Sequence, residues 1–424
     1  MIIPQLGPDA KQRDPVFHTV FHVPALAARA SLRYNLPMRL NHLTLHNFRN
    51  YVRLEIDLSP GVTLLAGDNA QGKTNLLESI YYLATSRSPH AGSDREIVNW
   101  LAVEQEPLPY ARLVGRVART SGPVSIEITL TRQANNGGRY KKEIRINGTV
   151  RRAMDMLGQL NVVLFLPEDL TLVSGSPGDR RRYLDVTLCQ VDAAYCRSLS
   201  RYNSILTQRN ALLRELRERG RSDGEQLAFW DDRLVESGAY LVTRRVRAVQ
   251  ALDTLANRLH GELTAGMEAL HLRYEPSLDL DGLDEDTQSV EAVARSFRTQ
   301  VRAQRSREVA AGMTLVGPHR DEMRFLLNGV DAGVYGSRGQ QRTAALALKL
   351  AEVRLMRQET GEEPVLLLDD VLSELDAHRR AFLLEALACG VQQSILTTTD
   401  LGAVPGEFRD QCQVWQVEAG RLSG

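Results

Sequence analysis

VLLLDDVLSELD, residues 365–376, is an apolar run that ends in two adjacent carboxylates, and far upstream of it stands GDNAQGKT, residues 67–74. Taken together, the two stretches outline one ATP site split between distant parts of the chain. The upstream stretch fits GxxxxGK[ST] in the context that motif requires, because a strand-like apolar run at residues 62–66 feeds a loop that opens a helix. In such a loop the backbone N–H groups of Gly67, Asp68, Asn69, Ala70, Gln71, Gly72 and Lys73 point at the phosphates, helped by the partial positive charge of the helix N-terminus. Side chains at Gly67 or Gly72 would block the backbone's approach or the turn. Lys73 supplies a fixed cation, and the Thr74 hydroxyl is placed to ligate Mg²⁺. The alternative is a chance match in a glycine-containing turn. Five lysines stand against 47 arginines in the chain, so a lysine at that one position argues against chance.

Residues 365–368 read as a buried strand whose carboxyl end presents its carboxylates, as a parallel sheet does. Asp369 is expected to hold Mg²⁺ through water. Asp370, one residue on and pointing elsewhere, is the candidate catalytic residue that positions or deprotonates the attacking water. An ordinary strand followed by an acidic helix cap would look the same in isolation; the phosphate loop upstream decides between the two.

Between the halves lies YGSRGQQRTAALALKLAEVRL, residues 335–355, a glycine-flanked serine followed by a helix whose Leu346, Leu350, Val353 and alanines suit one buried face. By itself it is a capped amphipathic helix. In this order along the chain, GSRGQ resembles the signature motif of the ABC ATPases. The resemblance implies that Ser337, Gly339 and Gln340, at the helix N-terminus, grip the γ-phosphate of ATP held by an opposite subunit, and hence an ATP-dependent homodimer.

The wide separation of the motifs disfavours a transporter ATPase and favours the SMC-like branch, where an insertion projects from the head. LNHLTLHNFRNY (40–51), LLAGDNAQGKTNLLESIYYLATSRS (64–88), GSPGDRRRYLD (175–185), TLVGPHRDEM (314–323), GSRGQQRTAALALKLAE and LLLDDVLSELDAHRR together resemble the RecF family, from about residue 38 to the C-terminus. The resemblance implies an α/β fold: an ABC-ATPase-like P-loop head with a mixed β-sheet and an antiparallel β layer, plus an inserted α-helical lobe. It implies ATP and Mg²⁺ as cofactors and a weak, DNA-stimulated ATPase that works as a switch. It further implies an ATP-gated clamp on gapped, duplex or junction DNA in recombinational repair, replication restart and the SOS response, with RecR and RecO as partners. Two features depart from the wider pattern. SILTTTD (394–400) puts Thr399 and Asp400 where ABC ATPases usually carry a switch histidine, which implies slow hydrolysis; SPHAG (88–92) is less regular than the family's basic, serine-rich stretch. A nuclease of the same superfamily would need a carboxylate-rich metal domain after the head, and the short stretch after Asp400 gives no expectation of one.

The rest of the sequence suits a cytoplasmic protein of two or three domains: 424 residues, 43% hydrophobic and 25% charged. Formal net charge is zero, so DNA binding has to come from local basic surface. Cys189, Cys196, Cys389 and Cys412 lack metal-ligand spacing and read as reduced thiols. No apolar run of membrane-spanning length or secretory leader is seen, which disfavours membrane partners.

Residues 1–37 lack periodicity and read as a start upstream of Met38 or a disordered extension, with a regulatory or targeting arm as the functional alternative. From Leu40 the pattern alternates, with Leu54, Ile56 and Leu58 against Glu55 and Asp57, and again at Val124, Ile126, Ile128 and Leu130, followed by an Asn147-Gly148 hairpin turn. From about residue 179 to 311 the period is helical, broken near 220–224 and 276–282, with no sustained heptads. The expected division is therefore a head from 38–178 and 312–424 and a helical insertion from 179–311. Arginines crowd that insertion: Arg180, Arg181, Arg182, Arg197, Arg201, Arg209, Arg214, Arg217, Arg244, Arg245 and Arg247. They suit either a track for DNA phosphates or a solvated face with neighbouring glutamates.

Overall fold

The computed structural model describes residues 38–133, 139–219, 224–280, 289–388 and 393–424. The extension read at 1–37, the helical break near 220 and Cys389 lie outside the described residues. Cys189, Cys196 and Cys412 form no disulfide.

The phosphate loop leaves a six-stranded sheet ordered Arg421–Ser423, Gln413–Glu418, Val62–Ala66, Ser394–Thr398, Val365–Leu368 and Val162–Phe165. All its neighbours run parallel except the first pair. VTLLA and VLLL show no alternation because both faces of these strands are covered. Leu64, Leu366 and Leu368 enter one core, while Leu65, Val365 and Leu367 enter a second on the opposite face.

The second core is closed by an antiparallel layer ordered Tyr51–Asp57, Arg39–Phe48, Tyr110–Ala118, Val124–Arg132, Tyr140–Ile146 and Thr149–Arg151. Leu54 and Ile56 are buried there while Glu55 and Asp57 are exposed, as the alternation predicts. Asn147 and Gly148 turn with φ of 50° and 78°, the doubly positive turn that matches strand twist. Helix Lys73–Thr85 shares this core through Leu76, Leu77, Ile80 and Leu83.

On the other face lie helices Pro177–Val191, Ala193–Arg219, Gly224–Leu263 and Val290–Ala311. Ser176 and Asp179 form a capping box around Pro177, and Gly312 ends the last helix in the left-handed conformation. One cluster joins Leu64 and Phe165 of the sheet to Leu184, Tyr202 and Leu234 of these helices, so the core is continuous between them. No helix among the described residues is long and apolar enough to cross a membrane.

Three sequence expectations change. The helical segment contains a strand, Leu270–Glu275, which pairs antiparallel with Glu322–Leu327. The helix Arg338–Thr360 is buried around its whole girth from Thr343 to Val353, not along one face. It even buries Lys349 and Glu352: the ammonium lies 3.5 Å from Glu352 and 3.8 Å from Asp169, and Thr187 donates to Glu352 at 2.7 Å.

The third change concerns the arginines. Arg180 clasps Glu322 through two nitrogens at 2.7 and 2.8 Å. Arg209, fully buried, bridges Asp231, Glu308 and Thr314. Arg245 is buried against Asp185, Tyr195 and the Pro318 carbonyl, and Arg244 joins Asp192 to Glu359. These four are neither a phosphate track nor a solvated face; they tie the helices to one another and, through Arg180, to strand Glu322–Leu327. Arg182, Arg197, Arg201, Arg214, Arg217 and Arg247 remain exposed.

Candidate ATP site

Strand Val62–Ala66 delivers the loop to the same sheet edge at which Leu368 and Thr398 end, so residues 67–74 face residues 369–370 and 397–399. The loop curves through positive φ at Gly67 (152°), Ala70 (64°) and Gly72 (117°). A Cβ on Gly67 would stand 2.4 Å from the Val417 carbonyl oxygen, and one on Gly72 would stand 2.4 Å from the Asn50 amide nitrogen. Both glycines are thus fixed by conformation and by space.

The cavity beside the loop, about 270 Å³, is lined by Asn69, Ala70, Gly72, Lys73 and Thr74 on one side and by Asp369, Asp370, Thr397 and Thr399 on the other. Gly67, Asp68 and Gln71 do not line it. The Gln71 carbonyl accepts from the Asn50 side chain (2.9 Å) and the Gly420 N–H (3.0 Å), and its side-chain oxygen accepts from the Ala419 N–H (2.7 Å). The Asn50 side chain also accepts from Asn75 (2.8 Å), and the Tyr51 hydroxyl donates to the Gly72 carbonyl (2.9 Å). Asn50 and Tyr51 thereby clamp the loop from outside. Sequence reading quoted their NFRNY stretch without giving them this part.

Lys73 is 6% exposed and its ammonium donates to the carbonyls of Gly67 (2.6 Å) and Asp68 (2.8 Å). Burial pulls its pKa below the usual lysine value, against the opposing pull of Asp370, Asp369 and Asp68. Both oxygens of Asp369 are held: Thr74 donates to one at 2.7 Å and Thr397 to the other at 2.7 Å. The Thr397 hydroxyl in turn accepts the Asp370 N–H at 2.8 Å. Thr397 is the linchpin that sequence reading missed. Of the two residues it put in the switch region, Thr399 lines the cavity, whereas Asp400 caps the next turn by accepting from the Gly402 N–H.

Asp370 has φ 47° and ψ 28°, a left-handed conformation that costs energy for a residue with a side chain. Such strain at a carboxylate facing a phosphate loop marks a functional position. Thr74, Asp369 and Asp370 offer only oxygen donors, and no group of three or more His, Cys, Asp or Glu that could hold a metal ion occurs among the described residues. The set fits Mg²⁺ that arrives with a nucleotide, its remaining positions filled by phosphate oxygens and water.

Ser337, Gly339 and Gln340 do not line this cavity. Ser337 caps helix Arg338–Thr360, accepting from the Gln340 N–H at 3.3 Å while its own N–H donates to the Gln340 side chain at 2.9 Å. Gln340 is further tethered to Glu268 at 2.7 Å. Ser337, Arg338 and Gly339 are exposed, and beside them Val334 and Tyr335 leave 69% and 76% of their surface open.

A phosphate loop on a mixed sheet, an acidic strand opposite it and a signature helix with an exposed tip define an ABC-type ATPase head of the SMC kind. The RecF/RecN/SMC N-terminal domain model matches residues 39–419. The DNA replication and repair protein RecF of Chloroflexus aurantiacus is 48% identical over 393 residues, which is 91% of this chain and 99% of that protein. Its counterpart in Halalkalibacterium halodurans is 39% identical over 386 residues, again 91% and 99%. The solved structure of the recombination mediator protein RecF with ATP in the RecFOR pathway matches with a TM-score of 0.81 at 31% identity, covering 93% of this chain and 99% of that one. The Smc head domain of Pyrococcus yayanosii, at 13% identity and a TM-score of 0.51 over 91% and 97% of the two chains, is alike in fold alone. The chain belongs to the RecF family.

Proposed function

We propose that this chain is an ATP-dependent DNA-binding protein of recombinational repair, in which ATP closes a two-fold dimer on DNA and slow hydrolysis reopens it. RecR and RecO are the proposed partners at gapped or junction DNA, and the cytoplasm the proposed location. The head comprises residues 38–178 and 312–424, and the helical insertion at 179–311 serves as its arm. The observation that carries the reading is the division of the site: one chain brings Lys73, Thr74, Asp369 and Asp370 together but keeps Ser337 away from them. A second copy would supply the serine, and the exposed Val334 and Tyr335 beside it suit burial against that copy.

In this reading the N–H groups of residues 67–73 and the Lys73 ammonium hold the β- and γ-phosphates. Mg²⁺ offsets the phosphate charge when bound, with Thr74 and Asp369 as its protein-side holders. Asp370 orients the attacking water and takes its proton. Thr397 keeps the two carboxylates apart in function by occupying one oxygen of Asp369 and the backbone of Asp370.

Three experiments test this. Sedimentation with and without ATP and Mg²⁺ should show a dimer only with nucleotide. Ser337→Arg, which puts a bulky cation where the partner's γ-phosphate would sit, should weaken ATP-driven dimerisation by about tenfold or more while monomer ATP binding stays within about twofold; each 1.4 kcal/mol of lost contact is a factor of ten. Dimerisation of the variant at wild-type ATP would end the cross-subunit reading. Thr397→Val keeps the side-chain shape and removes the hydroxyl, so the Mg²⁺ concentration for half-maximal hydrolysis should rise about tenfold, the usual cost of losing a group that orients a metal ligand. An unchanged Mg²⁺ titration would remove Thr397 from that role.

A further inference from the structure

A second cavity, larger than the one beside the phosphate loop, lies apart from the ATP site. It measures about 710 Å³ and lies where the end of helix Lys73–Thr85 and Lys142 of the antiparallel layer meet helices Pro177–Val191 and Ala193–Arg219, with Pro318 and His319 beside them. Five cationic side chains line it, Arg87, Lys142, Arg181, Arg182 and Arg245, against one carboxylate, Asp185.

Their partners divide these cations into two groups. Arg245 is consumed by Asp185, Tyr195 and the Pro318 carbonyl, and Lys142 by Asp94 and the Ser86 carbonyl. Arg181 gives one N–H to the Asp321 carbonyl. Arg87 and Arg182 are exposed, and their guanidinium groups make no hydrogen bond or ion pair among the described residues. Asp179, one turn before Arg182, is occupied by its cap with Ser176. His319, pushed down to about 4 by burial, adds no charge at neutral pH. The cavity thus concentrates uncompensated guanidinium groups on a molecule whose formal net charge is zero.

Met154, Leu157, Val186 and Leu199 add an apolar stretch of wall. A lone phosphate would leave that wall uncovered. A DNA duplex, whose major groove alone is about 12 Å across, is too wide to enter. The volume lies in the range of about 300–1,000 Å³ usual for small-ligand pockets, which suits a nucleotide or two.

We propose that this cavity is a second phosphate-recognition site that takes the end of a nucleic-acid single strand, with its phosphates on Arg87, Arg181 and Arg182 and its terminal base and sugar against Met154, Leu157 and Leu199. No aromatic side chain is free there for stacking, because the Tyr202 hydroxyl is committed to His319 and its ring is buried, so base identity matters little. The proposal takes only the class of polymer from the function given above. ATP-driven dimerisation of the same variants reports on that function separately.

The test uses the full chain, a fluorescent 15-nucleotide dT strand and a 20-base-pair duplex. Arg87→Glu/Arg182→Glu should weaken strand binding at least tenfold and lower its salt slope by about 1.4, since each single-strand phosphate contact contributes about 0.7. Duplex binding should change less than twofold. Leu199→Trp, which fills the cavity without altering charge, should also weaken strand binding about tenfold. Equal losses for strand and duplex, or normal strand binding by the tryptophan variant, would overturn the proposal in favour of a surface patch. Competition by dTMP below about 1 mM would assign the same site to free nucleotides, and absence of competition to a strand end; both support the shared chemistry. Should the variants fold poorly, dT strand should protect Arg87 and Arg182 of the unaltered protein from phenylglyoxal, and undiminished modification would refute the site.

Discussion

Asp370→Asn is expected to slow ATP turnover by about 100-fold or more, the scale set by removing a positioned general base, while ATP binding and ATP-driven dimerisation persist. The backbone makes this a clean substitution. Asp370 stands at φ 47°, a region that asparagine tolerates better than most residues, so the turn and the N–H donated to Thr397 should survive. What disappears is the carboxylate that lines the cavity beside the phosphate loop. A dimer that closes without hydrolysing should then release DNA more slowly. Asp369→Asn should behave differently: both of its oxygens accept a threonine hydroxyl, and an amide can accept at only one. It should weaken Mg²⁺-dependent closure itself. Single-turnover hydrolysis and DNA dissociation measured on both variants check the division, and identical behaviour of the pair would contradict it. Because Asp370 is one methylene shorter than the glutamate usual at this position in ABC ATPases, unaltered protein should already turn over below the roughly 10 s⁻¹ typical of enzymes.

Lys73→Arg should lower turnover about 100-fold, comparable to removing one preorganised donor from a transition state, and weaken ATP binding about tenfold. Lys73 is buried, and its ammonium lies between two carbonyl oxygens 2.6 and 2.8 Å away. A planar guanidinium keeps the charge but cannot enter that space without moving the loop. Hydrolysis assays paired with a fluorescent-nucleotide titration separate the two effects, and unchanged turnover would exclude Lys73 from the phosphates.

The parts of the site that were legible in the sequence are those written locally. GDNAQGKT carries its own turn chemistry, and VLLLDD carries its own strand and edge. Thr397 was not legible, because its importance comes from a hydroxyl placed between two carboxylates by sheet register, and SILTTTD offers three threonines to choose from. Asn50 and Tyr51 reach the loop across a turn of the neighbouring layer, a contact with no signature in spacing. The arginines show a different limit. Composition cannot tell Arg209, which crosslinks helices in the interior, from Arg214, which is exposed five residues later on the same helix. Strand Leu270–Glu275 escaped because six residues after a 40-residue helix carry too few alternations to stand out.

The helix behind Ser337 has one more consequence, for how this sequence can drift. An ordinary surface helix accumulates neutral changes on its wet side, but residues 343–353 have no such side. Substitutions there are limited to exchanges that conserve volume, and the buried Lys349 and Glu352 can change only in concert with each other and with Asp169. Its exposed tip carries a lighter constraint: Ser337 caps the helix and Gln340 bonds Glu268, but neither position is packed in the core. A saturation-mutagenesis screen for folding alone should therefore find the shaft nearly immutable and the tip more permissive, with only the cost of a lost cap, about 1 kcal/mol, at Ser337, so intolerance at Ser337 or Gly339 that appears in a screen for activity but not in the screen for folding reports on function.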